Sequence, residues 1–304
     1  MRQSILPVVI IVLALIVVWY VAAIFLNAPF QFDAYARNHV QNVGWMQFLA
    51  DVWSQDRPSL PAPHQILADF WKSTVLTEPT SKRSLIYHAW VTLSATLLGF
   101  AIGSVLGILL AVLIVHNDAS DRSLMPWIIA SQAIPILALA PIMVVVTYNV
   151  LTGDNIVAHA LHLSADGAHL VSKALVSTYL SFFPVVVGMV KGFRSPEAIQ
   201  LDLMRTYNAS RPQAFWKLRW PIAVPYLFTS MKVAVAASLV GAIVGELPTG
   251  AVAGIGAKLL TGSYYGQTIQ IWSALLTGAI LAGILVAAVG LAERLVVRRM
   301  GARA

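Results

Sequence analysis

The stretch DLMRTYNASRPQAFWKLRWPIAVPY, Asp202 to Tyr226, sets a polar and basic segment between two long apolar runs. Such a segment must lie in water, against the face of the membrane that its apolar neighbours enter. Glycine-like and proline breaks bracket two short amphipathic helices, the first ending near Tyr207 and the second running from about Ser210 to Arg219. Asn208 stands at the break, and Asn is a common substitute for Gly where the backbone needs positive φ. The second helix presents Phe215 and Trp216 beside Arg211, Lys217 and Arg219, which gives aromatic anchors inside a cationic rim. Protein interfaces are built this way. The bland reading of the same residues is a solvated helical hairpin.

Composition carries the reading outward to the whole chain. With 304 residues, 58% hydrophobic and only 11% charged, and a mean hydropathy of +0.76, the chain cannot hide its apolar side chains inside a water-soluble globule. It is a membrane protein. The absence of cysteine removes disulfides, thiolate nucleophiles, iron–sulfur centres and cysteine zinc sites. A net charge of +7 would suggest nucleic acid in a soluble chain; here it matters through its distribution about the spans, and no nucleic-acid partner is expected.

Six stretches are apolar and long enough to cross: Leu6 to Leu26, about Ala89 to Val115, Leu124 to Leu151, about Ala174 to Val190, Tyr226 to Val244, and Ile271 to Leu291. All six are read as helices, so the fold class is all-α. The first exceeds a signal-peptide core and is read as a retained anchor. The third contains Pro126, Pro135 and Pro141 and should be kinked or broken. Most Lys and Arg fall on one side, in the short segments holding Lys191, Arg194, Arg205, Arg211, Lys217 and Arg219 and in the tail after Arg294. That side is cytoplasmic, and so are both termini. Lys173 and Lys258 count among the outer charges, while Lys232 is left to snorkel from the start of the fifth helix.

On the outer side, the segment after Asn27 contains LPAPHQILADFW, Leu60 to Trp71, whose Ile66, Leu67, Phe70 and Trp71 share one helical face. That spacing suits a helix in the headgroup layer. A second outer segment carries His159, His162 and His169. A pair at i and i+3 could share a metal ion, but no carboxylate or cysteine completes the site, and no metal is assigned. The third, GELPTGAVAGIGAKLLTGSYYGQ, either dips into the protein or stays as an outer loop. Gly99, Gly103 and Gly107 repeat the GxxxG spacing on the second helix, which is read as close backbone packing.

These motifs together resemble the permease subunits of binding-protein-dependent ABC importers, in the branch similar to nitrate, sulfonate and taurine permeases. The family's cytoplasmic signature is Glu-Ala-Ala, three residues, Gly, nine residues, Ile-x-Leu-Pro. Counting back from Pro221 puts Leu218 and Trp220 at its last apolar positions, Asn208 at the glycine, and Asp202, Leu203 and Met204 at Glu-Ala-Ala. The spacing is kept while the letters drift. Leu203 and Met204 add bulk where the family has alanines, and the literal Glu197-Ala198 lies too far from Pro221. Support comes from three further stretches in the right order: Leu60 to Trp71 looks like the family's LPSP-type helix, QAIPILALAPI from Gln132 to Ile142 like its QxxPxxAxxPL stretch, and Gly241 to Leu260 like its final Glu followed by GLG.

The resemblance implies a type I importer permease fold in a bacterial inner membrane, multi-pass. It divides the chain into a first helix over residues 1–30, an outer segment over 31–86, the transmembrane domain over 87–292 with a coupling loop at 195–222, and a basic tail over 293–304. It also implies partners: a separate ATPase subunit, a second permease copy, a periplasmic solute-binding protein and the bilayer. The loop from Ala209 to Trp216, with Ser210 and Phe215, is then the contact with the ATPase. ATP and Mg belong to that ATPase; this chain shows no GxxxxGK followed by Ser or Thr, and no cofactor is assigned to it. No catalytic residue is assigned either, because no acid, base and ligand constellation shares one depth.

Intramembrane charge is scarce, which argues against ion-driven carriers. Gln132, Thr147, Tyr148, Ser177, Thr178, Ser181, Thr229, Ser230, Ser238 and Glu246 are the polar residues read as candidates to line a path. A secondary transporter or channel would explain the spans but not the spaced loop. An exporter permease usually carries its ATPase in the same chain. The solute expected is a small organic anion or heterocycle.

Overall fold

The computed structural model describes residues 2–40, 42–153, 156–247 and 253–300. They are overwhelmingly helical, with no strand among them. In chain order the helices are α1 (Arg2–Arg37), α2 (Trp45–Trp53), α3 (Pro63–Trp71), α4 (Leu85–His116), α5 (Asp118–Ser131), α6 (Ile136–Thr152), α7 (Ile156–Leu161), α8 (Ala165–Phe193), α9 (Ala198–Thr206), α10 (Arg211–Ala214), α11 (Trp220–Glu246), α12 (Ile255–Tyr264) and α13 (Thr268–Arg299). Single π-turns, Lys72–Leu76 and Phe215–Arg219, follow α3 and α10.

Five helical stretches are long and apolar enough to cross a membrane, and the bent pair α5 and α6 makes a sixth if it is one broken span. The bend is 101°. Its cause lies in the sequence: Pro135 stands at the N-cap of α6 with φ −61° and ψ 116°, and proline can neither donate to the preceding turn nor leave its predecessor helical. The third span is therefore broken, as its prolines led one to expect.

The chain packs as two compact units. The first comprises residues 1–88 and 258–278. Here α1 does not stop at Leu26 but continues to Arg37, because the residues beyond it find partners. Asn27, fully buried, exchanges two hydrogen bonds with the backbone of Leu60 at 2.9 and 3.0 Å. Further along, Gln31 accepts from Gln55 at 2.8 Å and the Tyr35 hydroxyl donates to Asp51. The apolar part of α1 is almost wholly exposed, as a lipid-facing helix must be. Trp19 meets Trp272 edge-on at 4.8 Å and donates to the Pro61 carbonyl. In α3, Ile66 is buried while Leu67 and Trp71 are exposed.

The second unit comprises residues 89–257 and 279–304, and its centre is a seam between α4, α8 and α11. Small residues let the three backbones approach. A Cβ on Gly99 would strike Ser177, one on Gly103 would strike Ser181, and one on Gly107 would strike Val185 at 2.7 Å. Gly241 lies equally tight against the Ser177 backbone. Hydroxyls then bond across helices: Ser177 to the Ser238 carbonyl at 2.9 Å, Ser238 to the Thr96 carbonyl at 2.9 Å, and Thr178 to the Gly99 carbonyl at 3.2 Å. Lipid offers no hydrophobic drive between helices, so dispersion and bonds of about 1 kcal/mol each hold such a seam.

Candidate functional site: the loop between α8 and α11

The loop is built by local rules. Helix α9 ends in a Schellman motif: Asn208 adopts φ +51°, its N–H donates to the Arg205 carbonyl at 2.8 Å, and the Ala209 N–H donates to the Met204 carbonyl at 2.9 Å. Those bonds satisfy two carbonyls that the helix end would otherwise orphan. Ser210 then starts α10, its N–H donating to the Gln213 side chain at 2.8 Å and its carbonyl accepting from Ala214 at 2.9 Å, with Pro212 in the first turn. The S-x-x-Q spacing and the proline are both start signals.

The second loop helix does not end at Arg219. It runs through the π-turn Phe215–Arg219 directly into α11, so that Arg211–Glu246 forms one 36-residue stretch. The Trp220 N–H reaches back to the Phe215 carbonyl. Pro221 would collide with the carbonyl four residues before it in a regular helix, and the wider π-turn takes up that conflict. The prolines read as a boundary stand inside a continuous helical stretch, and the loop helix is a direct extension of a membrane helix.

Phe215 and Trp216 have different surroundings. Phe215 is only 7% exposed and packs among His116 at 5.0 Å, Phe193 at 5.2 Å and Trp220 at 6.2 Å, joining the loop to the ends of α4 and α8. It is a root and not an exposed anchor. Trp216 is 62% exposed and leans on Trp220 at 5.5 Å. Around it Arg211 and Lys217 are exposed and Leu218, Arg219 and Pro221 half-buried. Asp202 and Leu203 are exposed near the end of α9, with Met204 and Ala209 half-buried and Ser210 exposed. Asp202 pairs with Arg205 at 2.9 Å in full solvent, a contact of little energetic weight. Behind the loop a cavity of about 430 Å³ is lined by His116, Met204, Arg205, Arg211 and Arg219 among others. Arg194, following α8, is tied to Asp121 on α5 at 2.7 Å.

The polar residues of the spans are distributed unevenly. Gln132 is exposed at the break between α5 and α6, and Thr147 is half-buried on α6. Ser230 is buried against Gly188 but lines an open, mainly apolar groove of about 700 Å³ between α8 and α11, with Phe183, Lys191, Tyr226 and Thr229. Ser177 and Ser181 lie fully buried in the seam, Ser181 bonding the Gly99 carbonyl at 3.3 Å. Glu246 is also fully buried. It accepts from Thr92 at 2.9 and 3.1 Å and from the Gly256 N–H at 2.8 Å, and Lys173 Nζ stands 3.9 Å away. Thr92 in turn accepts from the Ile255 N–H at 2.9 Å. Gly254, at φ +129°, leaves room for that carboxylate where any Cβ would collide with it. The glycine-rich segment thus folds inward at Gly254 to Ala257; residues 248–252 lie outside the described residues.

Three partnerships escaped the sequence reading. Lys173 is not an outer-loop charge: it lies within α8, 6% exposed, facing Glu246. Lys232 does not snorkel alone but pairs with Glu293 of α13. A cation and a carboxylate inside separate spans are a signal for such pairing. His169, counted with the outer histidines, stacks on Tyr148 at 4.3 Å and so packs α8 on α6.

The fold is that of a polytopic, all-helical membrane protein. Residues 103–302 match the family of binding-protein-dependent transport system inner membrane components, and the chain belongs to that family as a multi-pass inner-membrane protein. It is 32% identical over 187 residues to the formylaminopyrimidine transport permease protein of Halalkalibacterium halodurans, an alignment covering 62% of this chain and 64% of that one. To the riboflavin transport system permease protein of Chloroflexus aurantiacus it is 30% identical over 239 residues, 79% of this chain and 80% of the relative. To a nitrate import permease protein of Synechocystis it is 24% identical over 212 residues, 67% and 70% of the two chains.

Proposed function

We propose that this chain is the membrane half of an ATP-driven importer, opened and closed through the loop at 195–222 by a separate ATPase subunit. The observation that carries this reading is the helical continuity of Arg211–Glu246 across the π-turn. A force applied at exposed Trp216 moves α11 as a lever, and through Phe215 it also moves the ends of α4 and α8. Asp202, Leu203, Met204, Asn208, Ala209, Ser210, Phe215, Trp216, Leu218 and Pro221 form the coupling element, of which Trp216 with its cationic neighbours is the part offered to the partner. ATP and Mg act on that partner. The excess of Lys and Arg beside the loop and after Arg294 supports a cytoplasmic loop and cytoplasmic termini.

A second copy of the chain completes the path, with the groove bearing Tyr226, Thr229 and Ser230 and the broken span bearing Gln132 and Thr147 as its walls. Ser177, Ser181 and Glu246 hold the helices that form those walls. A periplasmic binding protein delivers the solute. Relatives named for formylaminopyrimidine and riboflavin transport are at least 30% identical to this chain, which favours a planar nitrogen heterocycle. The test is uptake into proteoliposomes holding the permease, its ATPase and the loaded binding protein. Trp216→Glu should abolish ATP-dependent uptake while the protein still inserts and remains folded. Normal uptake by that variant, or uptake by the wild type with no ATPase present, would refute the proposal.

A further inference from the structure

In the first unit, α3, the π-turn after it, the start of α4, α12 and α13 enclose a polar pocket of about 330 Å³ that the transport reading leaves unused. Its lining includes Lys72, Arg83 and Lys258, with Asp69 as its one carboxylate and Gln270 and Ser73 as neutral polar groups. Among the described residues, the head groups of Lys72, Arg83, Lys258 and Gln270 make no side-chain hydrogen bond, and none of the three cations sits in an ion pair within 4.0 Å. Burial pushes the Lys258 ammonium below the ordinary lysine value; Asp69 opposes that shift and the charge of Arg83 adds to it. The pocket therefore gathers positive charge in excess of its own counter-charge, with donors to spare.

The residues beside it are of the opposite kind. Trp71, Val75 and Leu76 flank the pocket-lining Lys72, Ser73 and Thr77 in sequence and are 58%, 55% and 72% exposed. An apolar rim on a short helix and π-turn, next to a concave cluster of cations, matches an amphiphile whose head is anionic and whose tail is hydrocarbon. A soluble anion has no use for the rim, and a protein partner would not ordinarily leave three cations around a single carboxylate.

We propose that this pocket binds the phosphate of an anionic phospholipid, with Lys72, Arg83 and Lys258 on the phosphate and Trp71, Val75 and Leu76 against the acyl chains. The site steadies the α3 segment at the bilayer surface. Native mass spectrometry of the full chain in detergent tests it, titrating phosphatidylglycerol, phosphatidylcholine and inorganic phosphate in parallel. Wild type should retain phosphatidylglycerol in preference to phosphatidylcholine, and millimolar inorganic phosphate should not displace it. Arg83→Gln with Lys258→Gln should weaken phosphatidylglycerol binding about tenfold, Lys258→Arg should keep it, and the thermal midpoint in pure detergent should not change. Equal retention of the two lipids, unchanged binding by the double variant, or displacement by inorganic phosphate alone would each overturn the proposal.

Discussion

The helical stretch Arg211–Glu246 ends in two unlike ways. At Glu246 the end is sealed: a fully buried carboxylate takes hydrogen bonds from Thr92 and Gly256 beside Lys173, and Gly254 leaves the space it fills. At the Arg211 end it is rooted but open, with Phe215 inside an aromatic cluster and the next residue, Trp216, largely in solvent. One end closes a helix junction around a buried carboxylate that has its partners within the protein. The other end is the lever proposed above, with exposed Trp216 as its handle. Function is to be sought at the bare end, although the buried charge is the more conspicuous feature.

That contrast can be broken at either end. Glu246→Ala would leave Lys173 buried without its counter-charge, a loss of about 3–5 kcal/mol; the thermal midpoint in detergent should fall steeply and most activity should go with it. Glu246→Gln, which keeps one acceptor oxygen and the side-chain shape, should recover part of the midpoint. Phe215→Ala empties a packed aromatic site at about 3 kcal/mol. It should slow ATP-driven uptake more than it lowers protein yield, because the handle remains while its root loosens.

Asn208→Val places a β-branched residue at φ +51°, costing about 1–2 kcal/mol. It should impair uptake, whereas Asn208→Gly should be close to wild type in the same assay. The smallest effect is expected away from both ends, at Ser104 on α4. Its buried hydroxyl has no hydrogen-bond partner, so Ser104→Ala should leave the fold as stable as before or stabilise it by less than about 1 kcal/mol, read from the thermal midpoint.

The spans were legible because a run of some twenty apolar residues has few alternatives to crossing, and the break at Pro135 followed from the chemistry of proline. Asn208 was legible for a similar reason: few residue types tolerate its backbone angle. What sequence could not disclose was direction. Ser177 and Ser181 in a list of polar span residues look the same whether they face a path or a neighbouring carbonyl, and the structure puts them in the seam with Gly99 and Gly103. Pro221 looked like a stop because the π-turn that accommodates it leaves no mark on composition. Lys173 was placed with the outer charges because its distance from Glu246 in sequence hides a distance of 3.9 Å in space.

The absence of cysteine from the chain permits the most direct test of the lever. A single cysteine in place of Trp216, carrying a short crosslinker in the assembled complex, should capture the ATPase subunit, with a yield that changes when ATP is bound. It should be labelled by impermeant reagents only from the cytoplasmic face. Labelling from the opposite face, or no adduct with the ATPase under conditions where the complex remains intact, would contradict the account.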